Sequence, residues 1–171
     1  MKHQKLYHLV LAALFAALTY VATNIIHVPI PATDGYINLG DCVVLLGAFL
    51  LGPVYGAAAG GIGSALADIL SGYAVFAPGT FVIKALIAVI AAAILKALGS
   101  KTKAAPIVAS IAGEAWMLLG YFLYESIFLG YGLAAAGSIG GNAIQAVAGV
   151  ILASALYAVL SKVPQIKKAA A

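Results

Sequence analysis

Long apolar runs broken by short clusters of Gly and Pro set the pattern of this chain. A helix needs roughly 20 mostly apolar residues to cross a hydrocarbon core about 30 Å thick, with a range of about 17 to 25. The pattern predicts helices over Leu6–Ile26, Leu39–Leu51, Val54–Gly72, Thr80–Leu98, Ala105–Leu129 and Ala134–Leu160. The breaks fall at Pro29 and Pro31, Gly52-Pro53, Pro78-Gly79, Gly99-Ser100 and Gly130 to Gly132, where helix breakers gather. The expected fold is an all-α integral membrane protein, a six-transmembrane-helix bundle forming one membrane domain over residues 1–171, with nearly everything else in short loops. The second span is the irregular one. At 1.5 Å per residue it reaches only about 20 Å, so it is a short helix, a tilted one or a re-entrant segment.

Composition removes the other classes. Of 171 residues, 64% are hydrophobic and 8% charged, and the mean hydropathy is +1.11. A soluble domain carries about a quarter charged residues, so this chain cannot cover a water-facing surface. The net charge of +4 does not indicate nucleic acid, because the Lys form short clusters rather than a basic stripe. Lys2 and Lys5 precede the first span, Lys96, Lys101 and Lys103 flank the fourth connection, and Lys162, Lys167 and Lys168 follow the last. Under the positive-inside rule all three clusters are cytoplasmic, which six crossings with both termini inside satisfy and five would not. The run at the N-terminus is longer than a signal-peptide core and no convincing cleavage site follows it, so it is read as the first helix. Cys42 is a lone cysteine, and the three His match no metal-ligand spacing.

Almost all the remaining polar groups able to bind something lie in the outer half, with Glu114 the deepest exception. Ionisable side chains within a membrane cost at least about 2.5–3.5 kcal/mol, so they pair or face a cavity. Lys84 and Asp68 are each placed about one turn from the outer ends of their helices. They are expected to form a structural ion pair, with Lys84 free to share its ammonium with a ligand. Asp41 lies near the outer start of the second span. Glu114, Leu118, Tyr121 and Glu125 share one face of the fifth, with Glu114 deepest. Asn142 and Gln145 stand three apart on the sixth. Asn24, His27, Asp34, Tyr36 and Asn38 surround the first outer loop. One polar pocket in an otherwise dry bundle suits small-molecule capture better than an ion path, which would string polar groups through the whole thickness.

Small residues form two seams. Gly52, Gly56, Gly60, Ser64, Asp68 and Gly72 recur every four residues, and the first helix carries the pairs Ala12/Ala16 and Ala13/Ala17. Such faces admit close backbone approach, within the bundle or against another membrane protein. Tyr7 and His8 read as interfacial anchors. No nucleophile elbow, Ser/His/Asp set or metal pair points to an enzyme. No P-loop is present either, so any ATP-driven step would fall to another subunit.

The strings Asn38-Leu39-Gly40-Asp41, Leu51-Gly52-Pro53, Gly60-Gly61-Ile62-Gly63-Ser64-Ala65-Leu66-Ala67-Asp68 and Ala77-Pro78-Gly79-Thr80 with Lys84, in that order, resemble the substrate-binding S components of energy-coupling factor (ECF) vitamin transporters. Gly120-Tyr121-Phe122-x-x-Glu125 and Asn142-x-x-Gln145 are similar to the hydroxymethylpyrimidine and pyridoxine subfamily. The resemblance covers nearly the whole chain. It implies capture of a small B vitamin or precursor at the outer face, without a cofactor. Delivery would then involve a transmembrane coupling (T) subunit and two cytoplasmic ATPases, in the plasma membrane of a bacterium. It also implies a vitamin site at the loop after helix one, acting as a lid, and at the outer ends of helices four to six. Tyr36, Asn38, Asp41, Lys84, Tyr121, Glu125, Asn142 and Gln145 are the candidate contacts. Ala12, Ala13, Ala16 and Ala17 would meet the coupling subunit. A single Trp, Trp116, disfavours a site of stacked indoles. A pyridoxine- or hydroxymethylpyrimidine-sized ring is therefore favoured over riboflavin. The competing readings are a stand-alone proton-coupled transporter using Asp68, Lys84, Glu114 and Glu125 as a relay, and a non-transporting membrane scaffold.

Overall fold

The computed structural model describes residues 2–99, 102 and 104–163. Lys101, Lys103, Lys167 and Lys168, used above to orient the chain, lie outside the described residues. Five helices carry the fold: α1 (Lys2–Ile25), α2 (Gly40–Leu70), α3 (Ala77–Leu98), α4 (Ala105–Leu123) and α5 (Ile139–Leu160). A π-helical turn, Tyr124–Phe128, extends α4, and a 3-10 segment, Gly132–Ser138, leads into α5. Each of the five helical stretches is long and apolar enough to cross a membrane.

The second and third expected spans form one element, α2, interrupted at Gly52. There φ is 77° and ψ −176°, a conformation open to glycine and costly for any residue with a Cβ. Pro53 follows with its φ already set for a new helical turn. The chain folds back on itself at this point. A Cβ on Gly56 would lie 2.8 Å from Ala48 Cα, and one on Gly60 2.9 Å from Val44 Cγ1. In a continuous helix those pairs would stand about 12 Å and 24 Å apart. The small-residue seam is thus spent largely inside α2, where it lets residues 53–70 lie against residues 40–51.

That irregular short segment is the centre of the molecule. From Gly40 to Leu51 every residue but Val43 is buried, as expected of a helix apolar on all sides. Leu45 and Val44 pack with Ile87 and Ala91 of α3, Ala109 and Met117 of α4, and Ala153 of α5. By contrast only 11% of the spanning window of α1 is buried, so α1 is a peripheral helix. The outward faces are apolar, with Val54, Ile144 and Val147 all more than half exposed, as a lipid-facing surface requires.

One departure from the expected all-helical chain matters for function. The loop after α1 is a β-hairpin: β1 (Val28–Ile30) pairs antiparallel with β2 (Gly35–Ile37), in register Val28↔Ile37, Pro29↔Tyr36 and Ile30↔Gly35. Asp34 takes a left-handed φ of 54° at the turn, a position Asp tolerates. The hairpin closes one end of the bundle, where α1 ends, α3 and α5 begin, and α4 gives way to its π turn.

Candidate functional site

Beneath the hairpin lies a nearly closed cavity of about 20 Å³, room for roughly one water. Its walls come from every part of the hairpin end: Ile30, Gly35, Tyr36 and Asn38 from the hairpin, Asp68 from α2, Phe76 and Thr80 at the start of α3, Tyr121 and Glu125 at the end of α4, and Asn142 and Gln145 from α5. Six of the eight residues singled out from sequence therefore converge: Tyr36, Asn38, Tyr121, Glu125, Asn142 and Gln145. Asp41 and Lys84 do not line the cavity.

Four hydrogen-bonded contacts hold the hairpin down, one of them at its tip, where the Tyr131 hydroxyl donates to Asp34 Oδ2 at 3.3 Å. The Tyr36 hydroxyl donates to Asp68 Oδ1 at 2.5 Å. Thr33 Oγ1 donates to Glu125 Oε1 at 3.3 Å, while Ser138 Oγ approaches the other oxygen, Glu125 Oε2, at 2.5 Å. The Asn38 amide donates to Gln145 Oε1 at 2.7 Å. Hydrogen bonds to charged groups contribute about 1.5–3 kcal/mol apiece, so the cover is firmly held yet made of separable contacts. The π turn matters here, because its changed register carries Glu125 under the hairpin; such turns recur at functional sites. Outside the cavity the His27 ring stacks on Tyr36, with centroids 3.8 Å apart and planes at 14°, and Tyr73 leans on both. Burial pushes the His27 pKa below its ordinary value, and the Asp68 carboxylate opposes that shift. Burial, reinforced by Asp68, raises the Tyr36 phenol well above its usual range, so it stays a donor.

Lys84 corrects the sequence reading. Its ammonium pairs with Asp41, not with Asp68; both partners are almost fully buried. Among the described residues this is the one ion pair between side chains. Depth along the chain placed Asp68 and Lys84 at a similar level. In three dimensions the fold-back of α2 sets Asp41 beside Lys84, while Asp68 rises to meet the hairpin. Asp41 Oδ2 also accepts from Gln145 Nε2 at 2.6 Å, so the pair is wired to the cavity through Gln145 and Asn38. Tyr121 closes the space above, its ring centroid 5.3 Å from Lys84 Nζ and its hydroxyl 3.1 Å from Thr80 Oγ1.

Two acids keep buried oxygens that accept no hydrogen bond. Asp68 Oδ2 and both oxygens of Glu114 are buried without a hydrogen-bond partner. The Glu114 carboxyl leans over Gly149, where a Cβ would stand 2.8 Å from Oε1 and 3.3 Å from Asp41 Cβ. Asp68 faces the cavity; Glu114 lies deeper and does not. Sequence reasoning missed Thr33, Ser138, Thr80 and the cavity-facing role of Asp68. The available signal was Pro31-Ala32-Thr33-Asp34-Gly35 between two short β-prone runs, a hairpin signature hidden by the surrounding helices.

The alanines of α1 sit elsewhere. Ala12, Ala13, Ala16 and Ala17 line an apolar groove of about 670 Å³ between α1 and the second half of α2, with Val54, Ala58 and Ile62 opposite. Ala13 and Ala17 are exposed. Gly63 admits α1 closely, since a Cβ there would meet Ala16 O at 2.4 Å.

The fold and the site define a multi-pass helical membrane protein with a covered polar cavity at one end. Comparison with known proteins narrows this. The profile of the family described as "ECF-type riboflavin transporter, S component" matches residues 3–162. An "uncharacterized protein in gap 3′ region" of Pyrococcus woesei is 38% identical over 142 residues, spanning 83% of this chain and 93% of its own length. A solved structure described as the S component of a bacterial ECF transporter shares the fold, with a TM-score of 0.74 at 24% identity, over 92% of this chain and 97% of that one. The chain belongs to the ECF-type riboflavin transporter S component family: it is a substrate-binding membrane subunit and not an enzyme.

Proposed function

We propose that this S component captures a heteroaromatic B vitamin from outside the cell in the cavity beneath the hairpin, and that the hairpin is the lid. The observation that carries the reading is the convergence of Tyr36, Asn38, Asp68, Tyr121, Glu125, Asn142 and Gln145 on one small cavity. At about 20 Å³ the cavity is too small for any vitamin, so entry requires the hairpin to lift and its contacts to part. Riboflavin is the first substrate to test, from the family's description. A ring of pyridoxine or hydroxymethylpyrimidine size is the second reading, from the single Trp of the chain. Lys84 and Asp41 act from beneath the cavity, holding Gln145 in place, rather than as primary contacts.

In this reading the two halves of α2 both cross the membrane, giving six crossings with both termini cytoplasmic. The groove bearing Ala12, Ala13, Ala16 and Ala17 is the docking face for a transmembrane T subunit, which joins two ATPases to the complex in the cell membrane. Proteoliposome uptake tests the whole. Chain alone should bind vitamin but not accumulate it; chain with coupling subunit and ATPases should accumulate it with ATP. Accumulation by the chain alone under a pH gradient would instead establish a stand-alone proton-coupled carrier.

A further inference from the structure

The end of the bundle away from the hairpin has a groove of its own. It runs between α4 and α5 and encloses about 660 Å³, within the range of about 300–1,000 Å³ usual for small-molecule sites. Its α5 wall extends from Val150 to Lys162, which is about 18 Å of chain at the helical rise. Polarity increases along that length. Val150, Ile151 and Ile107 line the inner part with hydrocarbon, whereas Ser161, Lys162 and Thr102 stand at the mouth by the helix ends. The groove of α1 has nearly the same volume, about 670 Å³, but no charged residue lines it. That contrast points to an amphiphile here rather than to an apolar helix.

The charge at the mouth is positive and unopposed. No Asp or Glu occurs between Ile69 and Gly113 or after Glu125, so neither α3, the first half of α4 nor α5 brings an acid to this end. Lys162 is exposed and forms no salt bridge among the described residues. Nor do the last carbonyls of α5 need its ammonium: Tyr157 O, Val159 O and Leu160 O accept from the amides of Ser161, Lys162 and Val163. α4 begins at the same place, and no side chain caps its first turn, so its positive pole also favours an anion. Further in, Ser154 lines the groove with a buried hydroxyl that has no hydrogen-bond partner. A helical Ser commonly spends that hydroxyl on the carbonyl four residues back.

We propose that this groove holds one anionic phospholipid. An acyl chain lies along α5 from Val150 to Ala158, an oxygen of the glycerol region accepts from the Ser154 hydroxyl, and the headgroup phosphate pairs with Lys162 Nζ. The lipid fills the seam that α4 and α5 leave open and ties the two helices together. Binding is independent of the vitamin-capture reading; only its assignment to the cytoplasmic leaflet rests on the topology proposed above.

Native mass spectrometry of the purified full chain tests this with dioleoylphosphatidylglycerol against dioleoylphosphatidylcholine. The two share their chains, but choline offsets the phosphate charge in the second. The first phosphatidylglycerol should bind about tenfold more tightly than the first phosphatidylcholine, as one charge-assisted contact allows. Raising ionic strength should narrow the gap. K162A should bring the two lipids within about threefold of one another at an unchanged melting temperature. A155F, which fills the groove, should weaken both by about fivefold or more through lost apolar contact. If K162A does not fold, A155F and the wild-type salt series still decide. Equal binding of the two lipids by wild type overturns the inference, as does a full preference retained in K162A or undiminished lipid binding in A155F. Competition by glycerol 3-phosphate at the strength of the lipid would make this a site for a free phosphate. A dimer that A155F abolishes would make it a seam between two copies of the chain. Either result overturns the lipid as occupant.

Discussion

The two ends of the bundle solve opposite problems. At the hairpin end α2 to α5, the π turn and the hairpin bring polar side chains together, and nearly every one is tied to another element. At the other end the helices meet through Ala88, Ala91, Ala109 and Ala153, small residues with no polar atom to satisfy. The contrast shows how a short chain divides labour in lipid. Close apolar packing fixes the scaffold, and most of the polar groups, each expensive to bury, gather at the hairpin end, with Glu114, Ser110 and Ser154 buried elsewhere. In the proposed reading the hairpin is a lid whose hydrogen bonds a polar substrate replaces, whereas the packed end holds no such set.

The sharpest way to break the comparison is to remove the charge that anchors the polar end. K84A leaves Asp41 buried with only Gln145 as partner. Breaking a buried pair from one side costs about 3–5 kcal/mol, so a large fall in thermal stability is expected. The double variant K84M/D41L should recover most of it, read as the melting temperature in detergent. Next in size is the cavity wall. N142A should weaken vitamin binding about tenfold or more with little change in stability, because the Asn142 amide makes one long contact, 3.5 Å to Ser138 Oγ. Replacing Ala13 and Ala16 by Leu should leave binding within about twofold but abolish uptake by the assembled transporter, since the groove is apolar and remote from the cavity. Intact assembly and uptake in that variant would remove the docking role.

The smallest effect concerns His27. Its folded pKa lies below the unfolded value of about 6.5. Its contribution to the closed lid is thus fully present above that pH and is lost as pH falls through the folded value. Vitamin release should accordingly quicken a few-fold in mildly acid buffer, and H27F should flatten the dependence in stopped-flow release measurements.

How much of this was legible beforehand follows the same division. The apolar runs located all the helical stretches, because lipid admits only helices or closed barrels and length alone then identifies a span. The even spacing of Gly56 and Gly60 announced a close approach but not its partner, which proved to be the first half of α2 itself. Residues 40–51, irregular by length, became the buried pillar because brevity matters little to a helix surrounded by protein. The site was half legible. Tyr121, Glu125, Asn142 and Gln145 emerged from helical spacing, which fixes direction as well as depth. Lys84 was matched to the wrong acid, because one-dimensional depth cannot say which way two neighbouring helices face. Thr33 and Ser138 were invisible, since their role depends on the hairpin and the π turn, two local departures from helix that periodicity does not register.

The central claim is that the hairpin end is a vitamin site complete in this chain alone. Calorimetric titration of the purified protein with riboflavin, pyridoxine and hydroxymethylpyrimidine, without ATP or partner subunits, tests it directly. The account predicts one-to-one binding of at least one of them, weakened about tenfold or more in N142A. The absence of heat with every vitamin, or equal binding by wild type and N142A, would contradict it.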